Sequence, residues 1–484
     1  MKFKFKTQPR LPQATEFDTY KNSEARALLW QMRSGKSKVM IDTFSYQFCE
    51  KSITGVIVVA PNGVHDNWVK RELPKHCPIP YHAHIYRASS FKTNTHRTNL
   101  AAVCKASTSR MKVLAINSEG IRTPNARKSI SKFIKAHKGK IFLVVDESHD
   151  FRTPGSSRTR TMRALAKHCK YRRILTGTAV SNTPLAAFSQ FEILSPGALG
   201  SRTYGEFKSK YAIYTEARTK GGRRFDKLER YQNLEELKLA ISEWSSVVLK
   251  KDSGIPPLNG ITRNFHMGAK QKALYERLTK EYMLEDAAFD GGARMTKLQQ
   301  ITRGWYYNEE GDVVEIVKDE NNPALQTLIR EVQGSDPGTK FIIWCEHRHD
   351  IAMVTRALRR LNNRSIVEYH GGVKPKERQI AIDSFNMYKS VTDFVGQPRA
   401  GGVGLDLSEA DVIFWYSHTH DLIIREQASE RASQVDGAVV DVIDLECVGA
   451  VDEYILTAQR NKRSVSDDLA GVGLKYLLEA EKYI

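Results

Sequence analysis

Short apolar runs rich in Val and Ile recur along the chain, and between them apolar and charged positions follow a helical spacing. Runs of this kind are how strands buried on both faces of a parallel sheet read, and the amphipathic segments between them are the helices that cover those faces. In the first half the runs are Gly55–Ala60, Lys112–Ile116, Ile141–Val145 and Arg173–Leu175. In the second half they are Lys340–Cys345, Ser365–Tyr369, Thr392–Val395, Val412–Tyr416 and Val439–Leu445. The expected fold class is therefore α/β, with two parallel-sheet lobes. Between the two sets of runs, over about 201–337, the sequence turns charged and is expected to be mostly helical, punctuated by Gly221-Gly222, Pro256-Pro257 and Gly291-Gly292. This divides the chain into an N-terminal lobe over 1–253, with a helical insertion at about 201–253, and a C-terminal lobe over 254–484, with a helical insertion at about 268–337.

Composition agrees with that division. A length of 484 residues calls for two or three compact units, and 41% apolar with 27% charged residues is enough to build cores and excludes a disordered chain. The 74 Lys and Arg against 55 Asp and Glu leave a formal charge of +19, which favours a polyanionic partner through counterion release, nucleic acid first. The basic start, Met1 to Arg10, reads as a solvated terminus or a nucleic-acid arm. Six scattered cysteines with no C-x-x-C pair read as reduced thiols, and His76, Cys77, His82 and His84 match no zinc spacing and read as loop residues. No apolar run approaches the roughly 20 residues that span a bilayer, so no membrane partner is expected.

Two motifs carry chemistry by themselves. The stretch Ala27 to Ser37 ends in Ser34-Gly35-Lys36-Ser37 and runs into a helical segment, giving strand, loop and helix in the order of a phosphate-binding loop. Such a loop aims backbone N–H groups at phosphate oxygens, with Lys36 on the β and γ phosphates and Ser37 on Mg²⁺. About a hundred residues later, Ile141-Phe142-Leu143-Val144-Val145-Asp146-Glu147 is an apolar strand closed by an acidic pair. Asp146 is placed to hold Mg²⁺, and Glu147 to orient or deprotonate an attacking water.

With Ser148 and His149 this acidic pair resembles the D-E-x-H motif of superfamily 2 helicases, and further motifs follow in order. Leu175-Thr176-Gly177-Thr178 is similar to the third motif. Val58-Val59-Ala60-Pro61, with Trp68 and Glu72 following, resembles the P-x-x-x-x-x-x-W-x-x-E signature of Swi/Snf-type members, and Asn182 fits their L-T-G-T-P-x-x-N. In the second half, Phe341 to Trp344 and Tyr369-His370-Gly371-Gly372, with Arg378 in the next helix, resemble the fourth motif and its successor. Gln397 to Leu407 resembles the fifth motif, and Gln427-Ala428-Ser429-Glu430-Arg431 resembles the start of the sixth. The resemblance covers nearly the whole chain. It implies two RecA-like lobes that bind ATP with Mg²⁺. Lys36, Asp146, Glu147, Gln427 and Arg431 would be catalytic, Arg431 as the arginine finger. Arg33 to Ser37 would line the nucleotide, and Gln13 would stand where the compact phage and bacterial members read adenine. Thr176, Gly177, Thr178, Gly402, Gly404 and Asp406 would couple the ATP site to the track, and Pro61, Asn117, Ser118, His370 and Gly371 would touch it.

The function this implies is an ATP-dependent motor that translocates on duplex DNA, in a bacterial or phage-infected host cytoplasm. The alternatives are a strand-separating DNA or RNA helicase and a nucleotide-gated DNA-binding module with weak ATPase activity. Two departures bear on the choice. Arg33 stands where the family writes the first glycine of its loop, and Gln434 stands where the sixth motif places a second arginine, which predicts slowed hydrolysis unless a neighbour such as Arg425 substitutes.

Overall fold

The computed structural model describes residues 2–177, 183–218, 224–249, 252, 254–284, 291–400, 405–433 and 437–469. The chain separates into two compact units, built mainly from Met1–Ile213 with Glu229–Ile255 and from Tyr214–Leu228 with Pro256–Arg463.

In the first unit, β1 (Ala25–Trp30), β2 (Gly55–Ala60), β3 (Tyr81–Ile85), β4 (Met111–Asn117), β5 (Ile141–Asp146) and β6 (Tyr171–Leu175) join with β9 (Ser245–Val248) in one sheet. Its order is β3-β4-β2-β5-β6-β1-β9, and every pairing is parallel. The central strands β2 and β5 are buried along their whole length, as strands covered on both faces must be. The helix Pro124–His137 shows how the covering elements are specified. Thr123 caps it by accepting from Ala126 N, and Pro124 starts it with a preset φ. Ile130 and Phe133 face the core while Lys128, Lys132 and Lys135 stay toward solvent. The basic start is laid on the same unit through alternate residues: Phe3 and Phe5 pack on Phe17 at 5.3 and 5.1 Å, and Lys6 donates to Pro74 O.

The second unit has a six-stranded parallel sheet, β10-β17-β16-β13-β15-β14, formed by β10 (Asn259–Phe265), β13 (Phe341–Trp344), β14 (Ile366–Tyr369), β15 (Asp393–Gly396), β16 (Val412–Trp415) and β17 (Asp441–Cys447). A small antiparallel pair, β11 (Trp305–Tyr307) and β12 (Val313–Glu315), is attached to it through the buried Trp305, whose indole donates to Asp350 Oδ1 at 2.7 Å.

The middle of the chain is less helical than its composition suggests. Helices occupy Tyr204–Tyr211, Leu234–Trp244, Ala269–Leu284, Gly291–Thr302 and Pro323–Gly334, but this stretch also holds β9, β10, β11, β12 and a separate two-stranded sheet of β7 (Ala212–Arg218) and β8 (Arg224–Tyr231). β8 is exposed along nearly all its length and so carries no buried face to leave an apolar alternation in the sequence. Gly221 and Gly222 lie outside the described residues. The cluster near residue 80 disperses: His76 Nδ1 meets Thr7 Oγ1, Cys77 Sγ points to Ile79 O, and His84 pairs with His96 at 3.2 Å. Among the described residues no helix is long and apolar enough to cross a membrane.

Candidate active site

A parallel sheet sends all its strands the same way, so the loops after them gather along one edge, where such folds bind ligands. In the first unit, β4, β2, β5, β6 and β1 are adjacent in that order, and they end at Asn117, Ala60, Asp146, Leu175 and Trp30. Apart from Gln13, which precedes β1, the residues assigned to chemistry in this half of the chain follow those five strand ends or, for Asn117 and Asp146, close one.

The phosphate loop follows β1. Gly35 takes φ +87° at the head of the helix Lys36–Cys49, a left-handed conformation that suits glycine, and a Cβ there would collide with the Gln13 amide. Gln13 is buried, accepts from Arg10 N at 2.9 Å through Oε1, and turns Nε2 toward Gly35 O at 3.4 Å. Arg10 Nη2 donates to Ser34 O at 2.8 Å. The leader thus fastens the loop from outside. Lys36 is largely buried and donates Nζ to Trp30 O at 2.7 Å and Gln31 O at 3.3 Å. Gln31, the first residue after β1, donates its backbone N–H to Val248 O of β9 at 2.9 Å.

Asp146 closes β5, Glu147 follows it, and both are buried. Burial, and then the Glu147 charge beside it, raise the Asp146 carboxyl above the usual range; a Trp68 hydrogen bond and the Lys36 ammonium pull the other way. Trp68 Nε1 donates to Asp146 Oδ2 at 2.8 Å, and Glu147 N donates to Oδ1 at 3.0 Å. Glu147 itself has φ +49°, a strained backbone of the kind that accumulates at functional sites. Its carboxylate lies 3.2 Å from His149 Nδ1, which also meets Thr176 Oγ1 at 3.3 Å. Burial on its own pushes His149 down, but the hydrogen bond and charge of Glu147, with Asp150, outweigh it and hold the imidazole above its ordinary value. Glu147 is therefore linked through His149 to Thr176, the residue that follows β6.

Two residues expected on the track lie below the surface. Pro61 is buried and its carbonyl accepts from Val64 N at 3.1 Å. Ser118 is buried and donates its hydroxyl to Asp150. The half-exposed Asn117 caps the following turn by accepting from Gly120 N at 3.1 Å. These residues shape the strand ends, and the neighbours exposed around them are Asn62, Gly63, Glu119 and Arg122.

In the second unit the equivalent edge holds His370, whose Nδ1 accepts from Gly372 N at 3.1 Å; the exposed Gly371, which packs near Arg348; and Gln397, which donates to Glu346 O at 2.9 Å. Gln427 is buried, and its Nε2 finds no hydrogen-bond acceptor among the described residues. A buried donor left in this state costs about 1–3 kcal/mol, and a bound nucleotide is the kind of group that would satisfy it. Arg431 is half-exposed, with Nη1 at 3.4 Å from Leu405 O, and Asp406, which follows Leu405, is exposed. Arg425 does not offer a spare charge: it is buried, ion-paired with Asp444, and stacked 4.1 Å over Trp415. Thr178, Asn182, Gly402, Gly404 and Gln434 lie outside the described residues.

Residues 19–308 match the SNF2-related domain, and residues 323–435 match the helicase conserved C-terminal domain. The chain belongs to the SNF2-related family. It is 23% identical over 379 residues to the TATA-binding protein-associated factor MOT1 of Saccharomyces cerevisiae, covering 67% of this chain and 20% of that protein. It is also 23% identical over 369 residues to the DNA repair and recombination protein RDH54 of the same species, covering 71% and 39%. The chain therefore spans less than half the length of these relatives. Among solved structures, the Sulfolobus solfataricus SWI2/SNF2 ATPase core in complex with dsDNA aligns at 21% identity and a TM-score of 0.42, over 99% of this chain and 96% of that one.

Two local features set this SNF2-related chain apart. The signature W-x-x-E has two residues between its ends, whereas Val69, Lys70 and Arg71 give this chain three. The extra residue is absorbed in a wide helical turn, in which Leu73 N bonds to Trp68 O across five residues. The other feature is Arg33, which adopts φ +60°, a left-handed backbone that glycine takes without strain. Holding a side chain there costs about 1–2 kcal/mol, against about 0.5–1 kcal/mol of chain entropy that glycine would add to the unfolded state. Arg33→Gly is therefore expected to stabilise the first unit by about 0.5–1 kcal/mol, seen as a higher thermal midpoint; a lower midpoint would refute the account.

Proposed function

We propose that this chain is an ATP-dependent motor that moves on duplex DNA. The observation that carries the reading is the continuous contact from Glu147 through His149 to Thr176, which joins the acid beside the metal-side carboxylate to the motif that family members use for coupling. The proposed roles follow from placement. Lys36 draws the β and γ phosphates, and the backbone N–H groups of residues 33–37 line the phosphate chain. Glu147 holds and deprotonates the attacking water. Gln427 and Arg431 serve as the sixth-motif pair for the nucleotide, and Gln13 with Arg10 keeps the phosphate loop in shape. Ser37 and Asp146 offer the hard oxygen donors that Mg²⁺ takes, and a carboxylate whose proton affinity is raised by burial and by the neighbouring Glu147 charge is an environment a divalent cation would relieve. When bound, Mg²⁺ neutralises phosphate charge. The +19 charge and the family membership support DNA as the track. Action in a bacterial or phage-infected cytoplasm rests on the likeness of the leader to such members.

Steady-state ATP hydrolysis without polynucleotide and with single-stranded DNA, duplex DNA or RNA tests the proposal. Duplex should stimulate most. Stimulation by RNA or single strands alone would give the track to another nucleic acid, and strand displacement would make the chain a helicase.

Gln434 favours a second reading, a nucleotide-gated DNA-binding module that hydrolyses slowly. Restoring the arginine by Gln434→Arg is expected to raise kcat, by up to about a thousandfold if the missing charge is fully replaced. An unchanged rate would remove this reading.

A further inference from the structure

The indole of Trp68 is almost completely buried and makes one directed polar contact, its N–H donation to Asp146 Oδ2 at 2.8 Å. With Glu147 N on Oδ1 at 3.0 Å, each carboxylate oxygen has one N–H donor, so the plane of the carboxylate is fixed while a lone pair on each oxygen is left for another ligand. Indole is a rigid donor that cannot accept, and a hydrogen bond to an ionised carboxylate is among the stronger kinds. A buried indole N–H needs an acceptor, and the acceptor here is the carboxylate proposed for Mg²⁺ rather than a backbone carbonyl.

Trp68 does not come from the strand that carries Asp146. It belongs to the segment that leaves β2 at Pro61, turns through Val64 and His65 with both backbone N–H groups on Pro61 O, and enters the wide turn at Trp68. Asn62 and Gly63, at the start of that segment, are exposed. One end of the segment thus faces solvent where family members meet their track, and the other end holds the carboxylate proposed for Mg²⁺.

We infer that Trp68 is a positioning residue: its indole N–H sets the orientation in which Asp146 receives the divalent cation, and makes that orientation depend on the Pro61–Glu72 segment. The inference rests on the nucleotide reading above. Partners of this kind, one bond removed from a metal, are typically worth about tenfold to a hundredfold in metal affinity.

The test is Mn²⁺ binding to the full chain with saturating ADP, followed by the paramagnetic resonance of free Mn²⁺. Trp68→Phe keeps most of the ring and deletes the N–H. It should weaken Mn²⁺ by about tenfold to a hundredfold while ADP binding in chelator stays unchanged. Tight Mn²⁺ binding by the wild-type chain that survives in Trp68→Phe would overturn this inference alone. Absence of ADP-dependent Mn²⁺ binding in the wild-type chain would overturn the nucleotide reading and this inference with it. Should Trp68→Phe fail to fold, the wild-type chain with ¹⁵N-labelled indoles decides: one indole N–H resonance should shift when Mg²⁺ is added to the ADP complex. If none of the six moves, the inference falls.

Discussion

Glu147→Gln is expected to lower DNA-stimulated ATP turnover by about a hundredfold to ten-thousandfold while leaving ATP binding in place. The substitution keeps the size of the side chain and removes only its capacity to take a proton. It also removes the charge that raises Asp146 and the partner that holds His149 up, so the carboxylate beside it ionises more readily and the imidazole loses protonation. The hydrogen bonds of Lys36 Nζ to Trp30 O and Gln31 O do not involve the substituted side chain. Steady-state turnover and equilibrium ATP binding, measured on the same preparation, check both halves. Turnover within threefold of wild type would move the general base elsewhere and with it the proposed role of the β5 strand end.

The largest effect on stability is expected in the second unit. Arg303 and Asp452 form an ion pair in which both side chains are fully buried. Arg303 also donates to Tyr416 O, Thr302 Oγ1 and Leu445 O, and Asp452 Oδ2 accepts from Cys447 N at 3.0 Å. The guanidinium thereby fastens the end of the Gly291–Thr302 helix to the C-terminal ends of β16 and β17. Burial pushes Arg303 down, and the Asp452 charge overcomes this and holds it protonated. Asp452→Ala leaves that charge buried without its counter-ion and should destabilise the second unit by about 3–5 kcal/mol, read from denaturant unfolding. Because the loss comes mostly from the abandoned charge, the double substitution Arg303→Met with Asp452→Leu should recover most of it. A double variant as unstable as the single one would mean that the pair acts through shape.

How much of this was legible in the sequence depended on where each strand sits. β2, β4 and β5 are interior strands and read as continuous apolar runs. β3, β9 and β10 are edge strands with sequences such as Tyr-His-Ala-His-Ile and Ser-Ser-Val-Val, in which one flank lacks a neighbour and the apolar signal thins. The order of motifs placed Lys36, Asp146, Glu147 and Thr176 along one edge because a parallel sheet leaves its loops nowhere else to go. Contacts that depend on side-chain direction were not legible: nothing in the spelling of Trp68 shows which carboxylate it holds, and Arg425 looks like a spare cation until Asp444 is seen beside it. Arg10 on Ser34 O was missed for the same reason, and its only signal was an arginine three residues before Gln13.

β9 lies against β1 with Trp30 opposite Val248, and the chain runs on from it to Ile255, the last residue of the first unit before Pro256. Load applied along β9 would be shared in shear by the evenly spaced bonds of a parallel pair. The last of those bonds is made by Gln31, the residue that opens the phosphate loop and whose carbonyl also receives Lys36. The end of β9 and the proposed phosphate loop are thus joined at a single residue, so a pull on the chain leaving β9 would be felt at that loop.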